Sequence, residues 1–186
     1  MHPIILASSS PRRQYLMREA GFNFTVEKPD VEESFPDDLP VDQVARYLAN
    51  KKAEYFRKEL HNQLIVTADT VVILEGEIMN KPADRNEAIA MLSRLSGKTH
   101  IVMTGVCILS AEKEESFDDT TEVTFKKLTQ EEIEFYVDQY KPYDKAGAYG
   151  AQDFIGMIAI EKIKGSYFNV MGLPIHKVYE HLKSWA

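Results

Sequence analysis

Three observations predict an α/β fold with a mixed β-sheet flanked by helices. The runs 64–74 and 100–109 are β-branched and almost continuously apolar, as strands buried on both faces are. Between them and around them lie stretches with apolar residues at helical spacing. Several strands are separated by tight hairpin turns, so the sheet cannot be wholly parallel. Such a fold would hold a ligand in a cleft between two lobes. No internal repeat, low-complexity tract or linker divides the sequence, which reads as one domain over 1–186.

The first strand is Ile4-Ile5-Leu6, and it runs into Ala7-Ser8-Ser9-Ser10-Pro11-Arg12-Arg13. Ser10 suits the N-cap of a helix and Pro11 its first position, where no amide donor is required. The helix extends to about Ala20 and stops at Gly21. Its start gathers serines (Ser8 among them), free amides and two guanidinium groups, which together attract anions and phosphate above all. Phe22, Phe24 and Val26 alternate as a half-buried strand. Residues 29–40 form an acidic, proline-punctuated loop able to carry a carboxylate such as Glu33 back towards the arginines.

The second helix spans about 41–59. Val41, Ala45, Leu48 and Phe56 share one face, and Lys52 falls near the middle of it. A lysine there either snorkels to solvent or points at an anion, and the arginines nearby in sequence favour the second. In the strand 64–74 Asp69 interrupts an apolar run. An unpartnered carboxylate at such a place is costly, since even a neutral polar group costs roughly 2–7 kcal/mol, so Asp69 is expected to meet cations or to cap a helix. Glu75-Gly76 turns the chain, Ile78-Met79 returns, and Lys81 is fixed before Pro82.

Asp84 to Glu87 opens a third helix with a capping-box pattern, and Gly97 closes it. His100–Leu109 is a buried strand in which Gly105 suggests a bulge. Residues 110–119 read as a charged turn region, and Thr121, Val123 and Phe125 as the dry face of a strand. Thr129 to Glu132 is a second capping box, opening a helix through Tyr140. In 142–153 small residues allow close backbone approach, Tyr143 and Tyr149 offer ring faces, and Gln152 can donate and accept at once, as reading a nucleobase edge requires. Phe154–Ile163 and Tyr167–Met171 read as strands, and a last helix begins at Pro174.

The composition narrows the function. Of 186 residues 44% are hydrophobic and 27% charged, an ordinary globular balance, and the net charge of −7 argues against a broad nucleic-acid surface. The single cysteine, Cys107, lies in an apolar run and reads as a buried structural thiol, in keeping with a cytoplasmic protein. No stretch has the pattern of a signal peptide or the length of a membrane span. What remains is a local pocket: the cations Arg12, Arg13, Lys52 and Lys81 for a polyphosphate, Asp69 with an acid such as Glu33 for Mg²⁺ or Mn²⁺, and Gln152 for a base. A water near Asp69 could attack phosphorus, with Asp69 as general base. No Walker pattern is present, which disfavours P-loop chemistry.

Ala7-Ser8-Ser9-Ser10-Pro11-Arg12-Arg13, Ala68-Asp69-Thr70-Val71-Val72, Asn80-Lys81-Pro82, Leu95-Ser96-Gly97 and Asp144-Lys145-Ala146-Gly147-Ala148-Tyr149-Gly150 resemble the successive signatures of the Maf family of nucleoside triphosphate pyrophosphatases. The match runs in order over nearly the whole chain. It implies hydrolysis of a nucleoside triphosphate to the monophosphate and pyrophosphate with a divalent metal. It also implies a fold similar to the inosine triphosphate pyrophosphatases, an elongated mixed sheet with a central cleft, and a homodimer. By position Asp69 matches the family's proton acceptor, and Arg13, Glu33, Lys52 and Lys81 its polar active-site set, with Ser8 among the substrate-binding residues. Arg12, Thr70 and Gln152 fall where subgroups differ in substrate choice, and they resemble the dTTP/UTP subgroup rather than the 7-methyl-GTP subgroup. Ser9 and Ala151 depart from the common pattern. The competing reading from another class is a nucleotide-binding regulator of cell division.

Overall fold

The computed structural model describes residues 2–185. Strands β1 (Ile4–Leu6), β2 (Phe24–Val26), β3 (Leu64–Leu74), β4 (Glu77–Met79), β5 (Thr99–Leu109), β6 (Glu114–Phe125) and β7 (Ile160–Lys164) form one mixed sheet. Its order is β2-β1-β3-β5-β6-β7, with β4 paired to β3. The helices are α1 (Pro11–Glu19), α2 (Val44–Glu54), α3 (Arg85–Leu95), α4 (Gln130–Tyr140), α5 (Phe154–Ala159), α6 (Tyr167–Met171) and α7 (Ile175–Lys183). The chain divides into two compact units. The first comprises 1–70, 104–119 and 172–186, and the second 71–103 and 120–171.

In the first unit β1 runs parallel to both β2 and β3, Ile4 standing opposite Phe24 on one side and Leu64 on the other. α1 starts as its sequence predicts: the Ser10 hydroxyl accepts the Arg13 N–H at 3.4 Å, with Pro11 at the first position. α2 packs through the alanine stripe Ala45, Ala49 and Ala53, all buried. Small side chains let its backbone lie against β5, and Gly105 is the other half of that contact. A Cβ on Gly105 would stand 2.3 Å from the Arg46 nitrogen and 2.4 Å from the Ala45 carbonyl carbon. Close approach of a helix therefore accounts for this glycine. The helix also ends earlier than its sequence suggests, since residues 41–43 and 57–59 are short 3₁₀ turns on either side of it. Ala7, Ala49, Ala53, Phe56, Ile65, Cys107 and Leu109 pack into one buried cluster.

In the second unit β3 turns into β4 through Glu75 and Gly76, both at positive φ (53° and 81°), the backbone that tight hairpins favour. Val72 pairs with Met79 and Leu74 with Glu77. Asp84 caps α3 by accepting the Glu87 N–H at 2.9 Å, but the Glu87 carboxylate returns to the Ala83 amide, so the box is not reciprocal. The box of α4 is reciprocal, Thr129 and Glu132 each binding the other's amide.

Three further expectations change. Residues 154–159 form helix α5, and only 160–164 form a strand. Residues 167–171 form helix α6, not a strand. The acidic stretch from Glu114 belongs to β6, which is twelve residues long. Its acids are met by groups from elsewhere in the first unit. Glu115 accepts from the Trp185 indole at 3.2 Å and lies 2.8 Å from His181 Nδ1, Asp118 lies 3.6 Å from Arg46, and Asp119 lies 2.8 Å from Lys177.

Candidate active site

The first unit places Asp69 inside β3 and Lys52 on the buried side of α2. Both side chains are about one-tenth exposed, and Lys52 Nζ lies 2.6 Å from Asp69 Oδ1. The same ammonium lies 3.1 Å from Glu33 Oε1, delivered by the acidic loop, and 3.4 Å from the Ala68 carbonyl. A lysine has three N–H donors, and here three oxygens surround them. The lysine on the apolar face of α2 therefore points at carboxylates rather than snorkelling. Its neighbour Lys51 donates to the Ser34 carbonyl at 2.9 Å and to the Ser34 hydroxyl at 3.0 Å.

Arg13 is the second fixed cation. Its Nε donates to the Gly172 carbonyl at 2.7 Å, Nη1 to the Ala68 carbonyl at 3.1 Å and Nη2 to the Thr70 hydroxyl at 2.9 Å. Burial lowers the pKa of this guanidinium. Asp69 opposes that shift, Arg12 adds to it, and Glu33 opposes it. Ala68 thus serves both cations through its carbonyl, and the peptide before Asp69 is held from two sides. Thr70 Oγ1 also lies 2.8 Å from Thr104 Oγ1 and 3.3 Å from the Gly172 carbonyl. Thr104 and Gly172 are parts of this arrangement that sequence reasoning missed, neither carrying a charge or a motif position to mark it. Ser8 is buried, and its hydroxyl accepts the Ser10 amide at 3.2 Å. Two amides at the start of α1, those of Ser10 and Arg13, are thus already taken by serine hydroxyls. Arg12 is half-buried beside them.

Lys81 and Gln152 belong to the second unit, and both are exposed. Lys81 directly follows Asn80, whose carbonyl accepts the Gly147 amide at 3.3 Å, so its segment is tied to the glycine-rich stretch that carries Gln152. Tyr149 does not offer a ring face. It is buried, its hydroxyl lies 2.6 Å from His100 Nε2, and its ring stands edge-on to Phe125. Burial raises its pKa, lowers that of His100 to about 4 and pushes the Cys107 thiol up to about 11, as a structural thiol requires. Tyr143 is partly exposed.

Among the described residues no group of three or more His, Cys, Asp or Glu side chains could hold a metal ion. The donor set that is present nevertheless fits one kind of ion. Glu33 and Asp69 converge on a single ammonium, and Mg²⁺ is commonly bound through one or two carboxylates, with waters and substrate phosphates completing its shell.

A family model described as Maf-like protein matches residues 3–185. The chain belongs to the Maf family. This Maf protein is 48% identical over 184 residues to the dTTP/UTP pyrophosphatase of Phocaeicola vulgatus, which covers 98% of this chain and 95% of that protein. It is 47% identical to the dTTP/UTP pyrophosphatase of Bacteroides thetaiotaomicron, with the same coverage. With that of Flavobacterium psychrophilum it shares 49% identity over 180 residues, 96% of this chain and 92% of that protein. Among solved structures, the Staphylococcus aureus Ham1 protein aligns with a TM-score of 0.58 at 16% identity, covering 99% of this chain and all of that one. A Ham1 protein from Coxiella burnetii aligns with a TM-score of 0.54 at 14% identity over the same shares. These two likenesses establish the fold, a mixed α/β sheet with helices as the sequence predicts. No helix among the described residues is long and apolar enough to cross a membrane.

Proposed function

We propose that this Maf protein hydrolyses dTTP and UTP to the monophosphate and pyrophosphate, and so removes unwanted pyrimidine nucleotides from the pool. The reading rests on one observation above all: a buried aspartate held by a lysine that also holds a second carboxylate. Its substrate class is supported by 47–49% identity to proteins named dTTP/UTP pyrophosphatase over nearly their full length.

Hydrolysis at the α-phosphorus requires a base for the attacking water and positive charge around the polyphosphate. Lys52 occupies Asp69 Oδ1, which leaves Oδ2 to take the proton of the water as its oxygen bonds to phosphorus and pyrophosphate departs. Lys52 holds the Asp69 carboxylate in one orientation. Arg13 already makes three bonds within the chain; a guanidinium has five N–H donors, so it has donors left for a phosphate oxygen. Ser8 and Lys81 are assigned to the same substrate, and Arg12, Thr70 and Gln152 to its selection. Glu33 and Asp69 would hold a Mg²⁺ or Mn²⁺ ion, which when bound would neutralise phosphate charge and make water more acidic. The family resemblance is the basis for reading 1–186 as one functional domain, the assembly as a homodimer and the compartment as the cytoplasm.

A panel of nucleoside triphosphates with Mg²⁺ or Mn²⁺ tests the reading. Pyrophosphate release, fastest with dTTP and UTP and abolished in Asp69→Asn, is expected. Orthophosphate as the product, or undiminished turnover in Asp69→Asn, would overturn the mechanism.

A further inference from the structure

Gln152 does not sit on a loose loop. Gly150 to Asp153 is a tight turn, closed by the Asp153 amide donating to the Gly150 carbonyl at 3.1 Å, and Gln152 stands exposed at its third position. Beneath the turn lies the phenol of Tyr136, wholly buried on α4. Its oxygen accepts the Gly150 amide at 3.2 Å and donates to Asp153 Oδ2 at 2.9 Å. One hydroxyl therefore binds both ends of the turn. Lys145 lies 3.8 Å from the same Asp153 oxygen.

The surroundings leave the turn little room to shift. A Cβ on Gly150 would lie 2.8 Å from Asp153 Oδ2, and one on Gly156 would lie 2.2 Å from the Ala151 carbonyl oxygen. Tyr149, just before the turn, is anchored to His100. The ring of Tyr136 fills the core beside α3 and α5, and phenylalanine would fill the same volume. Packing thus explains the ring but not the oxygen, whose two partners are the two ends of the Gln152 turn.

We infer that Tyr136 is a positioning residue for base selection, its hydroxyl setting the height and direction from which the Gln152 amide meets the base. The inference rests on the reading of Gln152 as the base reader. A side chain can discriminate by hydrogen bonds only if its backbone cannot drift to suit a base of another size, and a turn pinned at both ends meets that condition.

The test compares kcat/KM for UTP with that for GTP in the wild type, Tyr136→Phe, Gln152→Ala and the double variant, with melting temperatures for all four. Tyr136→Phe is expected to lower the UTP preference by about tenfold, within the range that loss of a hydrogen bond produces. It should have no further effect on the preference when Gln152 is already alanine. An unchanged preference in Tyr136→Phe, with a lowered one in Gln152→Ala, would overturn the positioning role alone. An unchanged preference in Gln152→Ala would overturn the base-reading role and this inference with it. Should Tyr136→Phe fail to fold, Asp153→Asn and Asp153→Ala probe the same bridge. The asparagine oxygen still accepts from the phenol and should keep the preference that alanine loses. Equal preferences in the two would count against the bridge.

Discussion

Lys52 and Asp69 form an ion pair that is only about one-tenth exposed, Nζ to Oδ1 at 2.6 Å. Removing the lysine leaves the Asp69 carboxylate without the ammonium that meets it. Lys52→Met should therefore cost about 3–5 kcal/mol of stability, whereas Lys52→Met combined with Asp69→Leu should recover most of that loss while remaining inactive. Urea denaturation of the three proteins checks this. A single variant as stable as the wild type would mean that the pair is solvated.

Arg13→Lys keeps the charge at the start of α1 but not the fork that reaches Gly172, Ala68 and Thr70 at once. The expected result is a loss of about 1–3 kcal/mol together with at least a tenfold fall in kcat/KM. Thermal melts and steady-state kinetics on UTP would show both. A lysine variant with wild-type melting would remove the guanidinium as a strut.

His100 gives the stability a defined pH dependence. Burial lowers its pKa from an ordinary 6.5 to about 4. Between those values the unfolded chain binds a proton that the folded chain refuses, so stability falls as pH drops from 6.5 towards 4. The loss through this one group approaches about 3 kcal/mol. His100→Gln should flatten that part of the profile, as denaturant midpoints measured from pH 4 to 7 would reveal. An unchanged slope would mean that His100 titrates normally in the fold.

Cys107 is expected to be inert in the native protein. Its side chain is fully covered, and burial pushes the thiol up to about 11, so little thiolate exists at pH 8. Labelling by a thiol reagent should then follow unfolding, rising with urea along the same curve as circular dichroism. Rapid stoichiometric labelling without denaturant would contradict this.

Much of the site was legible because its residues break local rules. Lys52 on an apolar stripe and Asp69 in an apolar strand each needed a partner, and the fold makes them one another's. Tyr149 was misread because a glycine-rich segment looks like an open loop, whereas its contact with His100 lies 49 residues away in sequence. The start of β6 was missed for a similar reason. Six residues from Glu114 to Asp119 include four acids, and the groups that meet them come from α2, the turn at 57–59, α7 and Trp185. The segment 154–159 is apolar at nearly every position, so neither period stands out. In the fold Gly156 lies close under the Ala151 carbonyl, where a Cβ would stand 2.2 Å from its oxygen. Tyr136 carried only the signal of a core aromatic, since the work of its hydroxyl depends on where Gly150 and Asp153 return.

The paired lysines of α2 carry one more consequence. Lys51 grips Ser34 while Lys52 reaches Glu33, so two successive residues of one helix hold two successive residues of the acidic loop. Fixing a backbone residue costs about 1–2 kcal/mol of conformational entropy. With this tether that cost falls on folding rather than on substrate capture, and the Glu33 carboxylate is in place before any ligand arrives.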